Sequence, residues 1–218
     1  HCNNCTSDLN AWVGIFREYT ELLGVPVDMN QIFSTLYNNA LTGDADCGGL
    51  MAYNYFSGEP ITGLQEGRPL FVRTIGNRFN LANFMRANIN AAVACLKIGN
   101  DILFNEEKIK VDRITGHGGL FKTPGVGQRI LAAALNSPIS VMETAGEGGA
   151  WGMALLAGFL VNNTNDRNLA DYLEMEVFGG NTGTSIAPTE EEVAGFNAYI
   201  ENYKACLPIE EAAVAHKK

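Results

Sequence analysis

Residues 111–135 constrain the fold more tightly than any other stretch of this 218-residue chain. Val111 to Thr115 reads as a strand, and a helical pattern runs from Pro124 to Leu135. Between them lies Gly116-His117-Gly118-Gly119-Leu120-Phe121-Lys122-Thr123. Its glycines tolerate positive φ and let backbone approach a ligand with no Cβ in the way. Thr123 suits an N-cap and Pro124 a first helical position, which predicts a helix with a defined start. Its free amides and positive dipole end then face the turn, and Lys122 adds a mobile positive charge. Such a turn suits a purine nucleotide or its phosphates. A purely structural turn that binds nothing carries the same signature.

The spacing departs from a P-loop, because no Gly-Lys-Ser/Thr run follows. A dinucleotide fingerprint is nearer, since Gly116-His117-Gly118 begins it and Glu143 lies beyond the next strand. Phe121, however, stands where the third glycine belongs. On the residues alone, a nucleotide site, a dinucleotide site and an empty turn all stay open.

The rest of the chain supplies alternating elements, which makes the class α/β. A first helix, capped by Thr6 or Ser7 and stopped by Gly24, turns Leu9, Trp12, Val13, Phe16 and Leu23 inward. Asp28 caps a second. Leu50 to Phe56 reads as a strand and Leu70 to Arg73 as a short extended piece. Asn80 starts the longest helix, with Leu81, Phe84, Ala92, Leu96 and Leu103 toward the core. Ser140 to Glu143 is a further strand. A helix from Gly148 to Val161 carries Gly148, Gly149, Gly152 and Gly158, a density that suggests close approach by another group. Thr189-Glu190-Glu191-Glu192 is a capping box opening a helix to about Cys206.

Apolar residues make up 46%, enough for a sizeable core, while the net charge of −9 argues against a sequence-independent grip on nucleic acid. No stretch is long and apolar enough for a membrane span. Five scattered cysteines do not make a disulfide framework, so a cytoplasmic setting is expected. Cys2-Asn3-Asn4-Cys5 lacks the second ligand pair of a zinc site, and no metal site is expected. The start at His1, without methionine, reads as a piece cut from something longer.

Three blocks, in order along the chain, resemble a known family. Tyr53-Asn54-Tyr55-Phe56-Ser57-Gly58-Glu59 is similar to the Tyr-Leu-Ser-Gly-Glu segment of xylulokinase-type members of the FGGY carbohydrate kinases. The turn at Gly116-His117-Gly118-Gly119, with Gln128-Arg129-Ile130-Leu131-Ala132 and Pro138-Ile139 after it, resembles that family's carboxy-terminal domain. Glu143 to Ala154 resembles its small-residue helix. The resemblance implies the carboxy-terminal lobe of an actin-like, ribonuclease-H-like ATPase fold over 1–207, with 208–218 as a flexible tail. It implies ATP with magnesium as cofactor and a small sugar, such as a ketopentose, held mainly by an amino-terminal lobe. Gly116, Gly118 and Gly119 would approach the nucleotide, Lys122 would sit beside it, and Leu120 and Thr123 would line its adenosine side. Ser7 and Ala11 would face the same pocket. The family's catalytic aspartate and phosphate-contacting Gly-Thr-Ser turn lie upstream of this region, so no catalytic residue is assigned in this chain, which alone is expected to be inactive. A homodimer is compatible with this reading. A dinucleotide-binding oxidoreductase piece and a non-catalytic actin-like module are the alternatives.

Overall fold

Helix α1 (Ser7–Leu22) forms on the expected spacing and buries Leu9 and Val13, with Trp12 and Phe16 packed on the same core. Gly24, at φ 72°, turns the chain out of the helix. Leu23, expected inside, is 60% exposed because the helical screw ends one residue earlier. The structure, a computed structural model, describes residues 2–143, 145, 148–162, 167–179 and 183–216. Part of the glycine-rich block after Glu143, at Thr144, Gly146 and Glu147, lies outside the described residues.

Asp28 caps α2 (Met29–Ala40), its carboxylate accepting from the amides of Asn30 and Gln31. β1 (Met51–Tyr53) pairs antiparallel with β2 (Leu70–Val72), Met51 opposite Val72. The strand expected over Leu50 to Phe56 stops at Tyr53. Beyond it, the amides of Phe56 and Ser57 donate to Asn4 Oδ1 at 2.9 and 3.1 Å instead of to a neighbouring strand.

α3 (Leu81–Asp101) is the longest helix, and Asn80 caps it through the amide of Asn83. It buries Phe84, Met85 and Ile89 together with Ala87, Ala91 and Ala94. Leu81 and Leu96, expected inward, are exposed. The small-residue face of α3 takes the close helix contacts, which rotates both leucines out. Leu103 lies past the helix end, in a wider π-type turn over Ile102–Glu106, and is also exposed.

The central sheet is mixed. β3 (Ile114–Gly116) runs parallel to β4 (Ile139–Val141), and β4 pairs antiparallel with β5 (Thr184–Ile186). The strand predicted from Val111 begins only at Ile114, since β4 offers three residues to pair and Val111 lies exposed. Likewise Glu143 falls in the turn after β4. Helices α4 (Val126–Leu135), α5 (Gly148–Asn162), α6 (Leu169–Tyr172), α7 (Glu190–Ala205) and α8 (Leu207–Ala215) complete the fold. The capping box forms at α7 as read from sequence. Thr189 Oγ1 accepts from the Glu192 amide, and Glu192 Oε2 accepts from the Thr189 amide. Residues 209–215, within the stretch read as a flexible tail, lie in α8. Glu210 on this helix is buried and accepts the amide of Arg68 at 2.5 Å, which ties the segment to the core.

α3 and α7 enclose a set of buried tyrosines. Tyr53 Oη donates to the Tyr203 carbonyl at 2.7 Å, and Tyr203 Oη donates to Tyr55 Oη at 2.8 Å. Burial pushes Tyr37 up from 10.0 to about 12 and raises Tyr53, Tyr55, Tyr199 and Tyr203 as well. A raised phenol stabilises the fold fully below its unfolded value, and that contribution is lost as pH rises through the folded value. We expect tyrosinate absorbance from these five buried tyrosines and loss of helical circular dichroism to rise together in one cooperative step above pH 10.0. Gradual ionisation with helicity intact would contradict the burial argument.

Candidate functional site

Pairing of β3 with β4 fixes where the glycine turn emerges, at the carboxy-terminal ends of two parallel strands. Ligands favour that end of an α/β sheet. Gly116 closes β3 and is buried; a Cβ there would overlap the ring of Phe121. Phe121, in the third-glycine place, thus packs over the first glycine, and Gly116 serves that packing. Gly118 has φ 108° and donates its amide to the Ala145 carbonyl at 2.7 Å. A Cβ on Gly118 or on Gly119 would meet no atom of the described residues within 4 Å, so this stretch of backbone has an open side.

Thr123 does not cap a helix, and Pro124 is not in one. A tight turn over Gly119–Phe121 comes first, and α4 begins at Val126 behind Gly125, which takes φ 80°. The left-handed Gly125 separates Thr123 from the helix, and the Thr123 carbonyl accepts from Val126 N at 3.4 Å. Leu120 and Thr123 are both buried, with the Leu120 carbonyl against Gly127 of α4. Gly118, Gly119 and Lys122 lie on the accessible side, whereas Gly116, Leu120 and Thr123 lie beneath. Ser7 and Ala11 are exposed on α1, a helix whose main packing is against α2 and α3.

Beside the turn is a cleft of about 520 Å³, walled by Phe121, Lys122, Gly125, Glu143 and Gly183 among others. Gln128 holds this wall together. It is buried, and its Nε2 donates to the carbonyls of Ile139 at 2.6 Å and Thr184 at 2.9 Å, joining α4 to β4 and β5. Sequence reasoning missed Gln128 as a site residue, although a lone amide on the apolar face with Ile130 and Leu131 was a usable signal. It missed β5 and Gly183 too, which lie outside the three family-like blocks. The close approach expected at the glycine-rich helix occurs at Gly148, against the His117 side chain, and at Gly158, near the Tyr172 hydroxyl. A Cβ on Gly149 or Gly152 would meet no atom of the described residues within 4 Å. An open glycine backbone, a lysine at its edge and an adjoining cleft with Lys122, Gln128 and Thr184 among its lining can hold an extended phosphate-bearing ligand. The residues present fit such a group.

Residues 1–161 match the C-terminal domain of the FGGY family of carbohydrate kinases. Comparison with curated protein sequences finds no match. Among solved structures, a ligand-bound xylulose kinase from Lactobacillus acidophilus is similar with a TM-score of 0.60 and 22% identity, over 81% of this chain and 35% of that one. A xyloylose kinase from Brucella ovis is similar with a TM-score of 0.60 and 18% identity, over 88% of this chain and 36% of its own. Glycerol kinase from Plasmodium falciparum, solved with ADP, gives 0.57 and 14%, over 91% of this chain and 37% of that one. The chain therefore spans about a third of the length of the structures it resembles. It belongs to the FGGY family of carbohydrate kinases, whose C-terminal domain it carries as an α/β lobe of the actin-like ATPase fold.

Proposed function

We propose that this chain is the nucleotide-binding wall of an ATP-dependent sugar kinase. The enzyme would transfer the γ-phosphate of ATP to a hydroxyl of a small sugar, a ketopentose such as xylulose. One observation carries the reading: the Gly118–Gly119 backbone is open to the 4 Å range, beside Lys122 and a cleft of about 520 Å³, in a chain of this family. ATP with magnesium would supply the transferable phosphoryl group. The chain's own residues bind and orient. Gly118 and Gly119 leave room for the nucleotide, Lys122 balances phosphate charge, and Gln128 keeps the wall rigid. The sugar hydroxyl oxygen bonds to the γ-phosphorus as the bond to the bridging oxygen of ADP breaks. Its proton goes to a carboxylate base outside these residues.

The Ser57-Gly58-Glu59 segment and the xylulose kinases among the structural neighbours favour a ketopentose. Full-length protein should release ADP fastest with ketopentoses in a panel that also holds glycerol and gluconate. A higher rate on glycerol or gluconate would overturn that choice. Nucleotide binding with no turnover on any sugar would favour the non-catalytic module. These residues alone should bind nucleotide and give no sugar-dependent ADP release.

A further inference from the structure

A second cleft, of about 760 Å³, shares no lining residue with the first. It lies where the loop after α2 meets the segment leading into α3, α3 itself, α4 and the first turns of α7. Three guanidinium groups reach it from separate parts of the chain. Arg78 is gripped by Asp44 at 2.7 Å and Asp46 at 3.3 Å, and Arg129 by Glu192 at 3.0 Å. Arg86 differs. It is 5% exposed and forms no ion pair among the described residues. Its Nη1 donates to the Gly43 carbonyl at 2.9 Å, while Nε is shut from solvent and has no acceptor among the described residues. Asp44 is already committed. Hydrogen bonds from Arg78 and Asn83 hold its carboxyl below the usual carboxylate range, with the charge of Arg86 a lesser cause.

A buried guanidinium without a paired anion is costly, and a ligand oxyanion would relieve that cost. The rim adds a second requirement. The four carboxylates of Asp44, Asp46, Glu191 and Glu192 outnumber the three guanidinium groups, which disfavours a bare inorganic anion. Carboxylates accept hydrogen bonds well, so the rim suits a ligand that donates through hydroxyls. We propose that this cleft is a second ligand site for a small polyhydroxylated oxyanion, a sugar acid or polyol phosphate. The anionic head sits on Arg86, and the hydroxyls donate to Asp46 and Glu191. The site is independent of the glycine turn.

Isothermal titration of the protein with gluconate, glycerol phosphate, inorganic phosphate and glycerol tests this. Gluconate or glycerol phosphate should bind at least about tenfold more tightly than phosphate or glycerol. The two active arms distinguish a carboxylate head from a phosphate head. Arg86→Lys should weaken binding about tenfold or more, because a point charge replaces the planar fork. Should that variant not fold, exposed Glu191→Gln and Arg129→Gln serve instead, and each should weaken binding severalfold. Gly119→Val, on the glycine turn that carries the proposed nucleotide contact, should leave this binding unchanged. Failure of both hydroxylated oxyanions to bind would overturn the proposal. So would binding that Glu191→Gln and Arg129→Gln leave intact, or that Gly119→Val abolishes.

Discussion

Glu59→Ala should destabilise the protein by about 2–5 kcal/mol, because it strands two donors in a water-free place. Glu59 is fully buried, and its Oε1 accepts from Asn4 N at 2.7 Å and from Asn4 Nδ2 at 2.9 Å. Asn4 in turn holds the loop after β1, since its Oδ1 receives the amides of Phe56 and Ser57. Removing the carboxylate therefore releases the amino-terminal segment and the Ser57-Gly58-Glu59 loop together. Glu59→Gln keeps an acceptor and should cost much less, about 1 kcal/mol. Urea denaturation of the two variants measures the difference. Faster hydrogen exchange at the amides of Asn4, Phe56 and Ser57 in Glu59→Ala locates it. Equal stability of both variants would show that Glu59 does not brace this loop.

The second large effect falls on the nucleotide wall. A Cβ on Gly127 would sit 2.5 Å from the Leu120 carbonyl oxygen and 2.8 Å from the Leu120 side chain. Two of the three nearest atoms, the Leu120 carbonyl oxygen and carbon, are backbone, so the turn must shift rather than a rotamer. Gly127→Ala should lose about 1–3 kcal/mol of stability, as overpacked cores do. It should also weaken adenine nucleotide binding, because the displaced segment carries Gly119 and Lys122. Thermal melts with and without ADP separate the two effects. Unchanged ADP affinity in a destabilised Gly127→Ala would mean that the turn's position does not matter to the ligand.

Local chemistry was legible in the sequence at three helix starts, though the cap read at Thr6 or Ser7 does not form, since Thr6 makes no side-chain bond at the start of α1. Asp28, Asn80 and the Thr189–Glu192 pair cap their helices as read, since each needs only amides two or three residues away. The start of α4 was misread for the opposite reason. Thr123 and Pro124 have the right chemistry for a helix start, yet Phe121 packing over Gly116 and Leu120 packing on Gly127 hold the chain in a turn until Gly125. Those contacts span the strand, the turn and the helix, and no local pattern encodes them. Glu210 shows the same limit at the carboxy terminus. Its partner amide at Arg68 lies far away in sequence, so α8 looked like a tail. Within the candidate site, Gly118, Gly119 and Lys122 stood out by composition, whereas Gln128 gains its role only from carbonyls on β4 and β5.

The most direct measurement of the central claim is titration of the protein and its Gly119→Val variant with ADP, ATP and NAD. A Cβ on Gly119 would meet no atom of the described residues within 4 Å and its backbone is not left-handed, so valine there should leave the fold and its melting temperature nearly unchanged. Its methyl groups would stand in the nucleotide's approach. We expect ADP and ATP to bind and NAD to bind far more weakly. Valine should cut ADP affinity by about tenfold or more, equivalent to about 1.4 kcal/mol. Binding of NAD without ADP or ATP, or ADP affinity untouched by the valine, would contradict the assignment of the glycine turn as a nucleotide-binding wall.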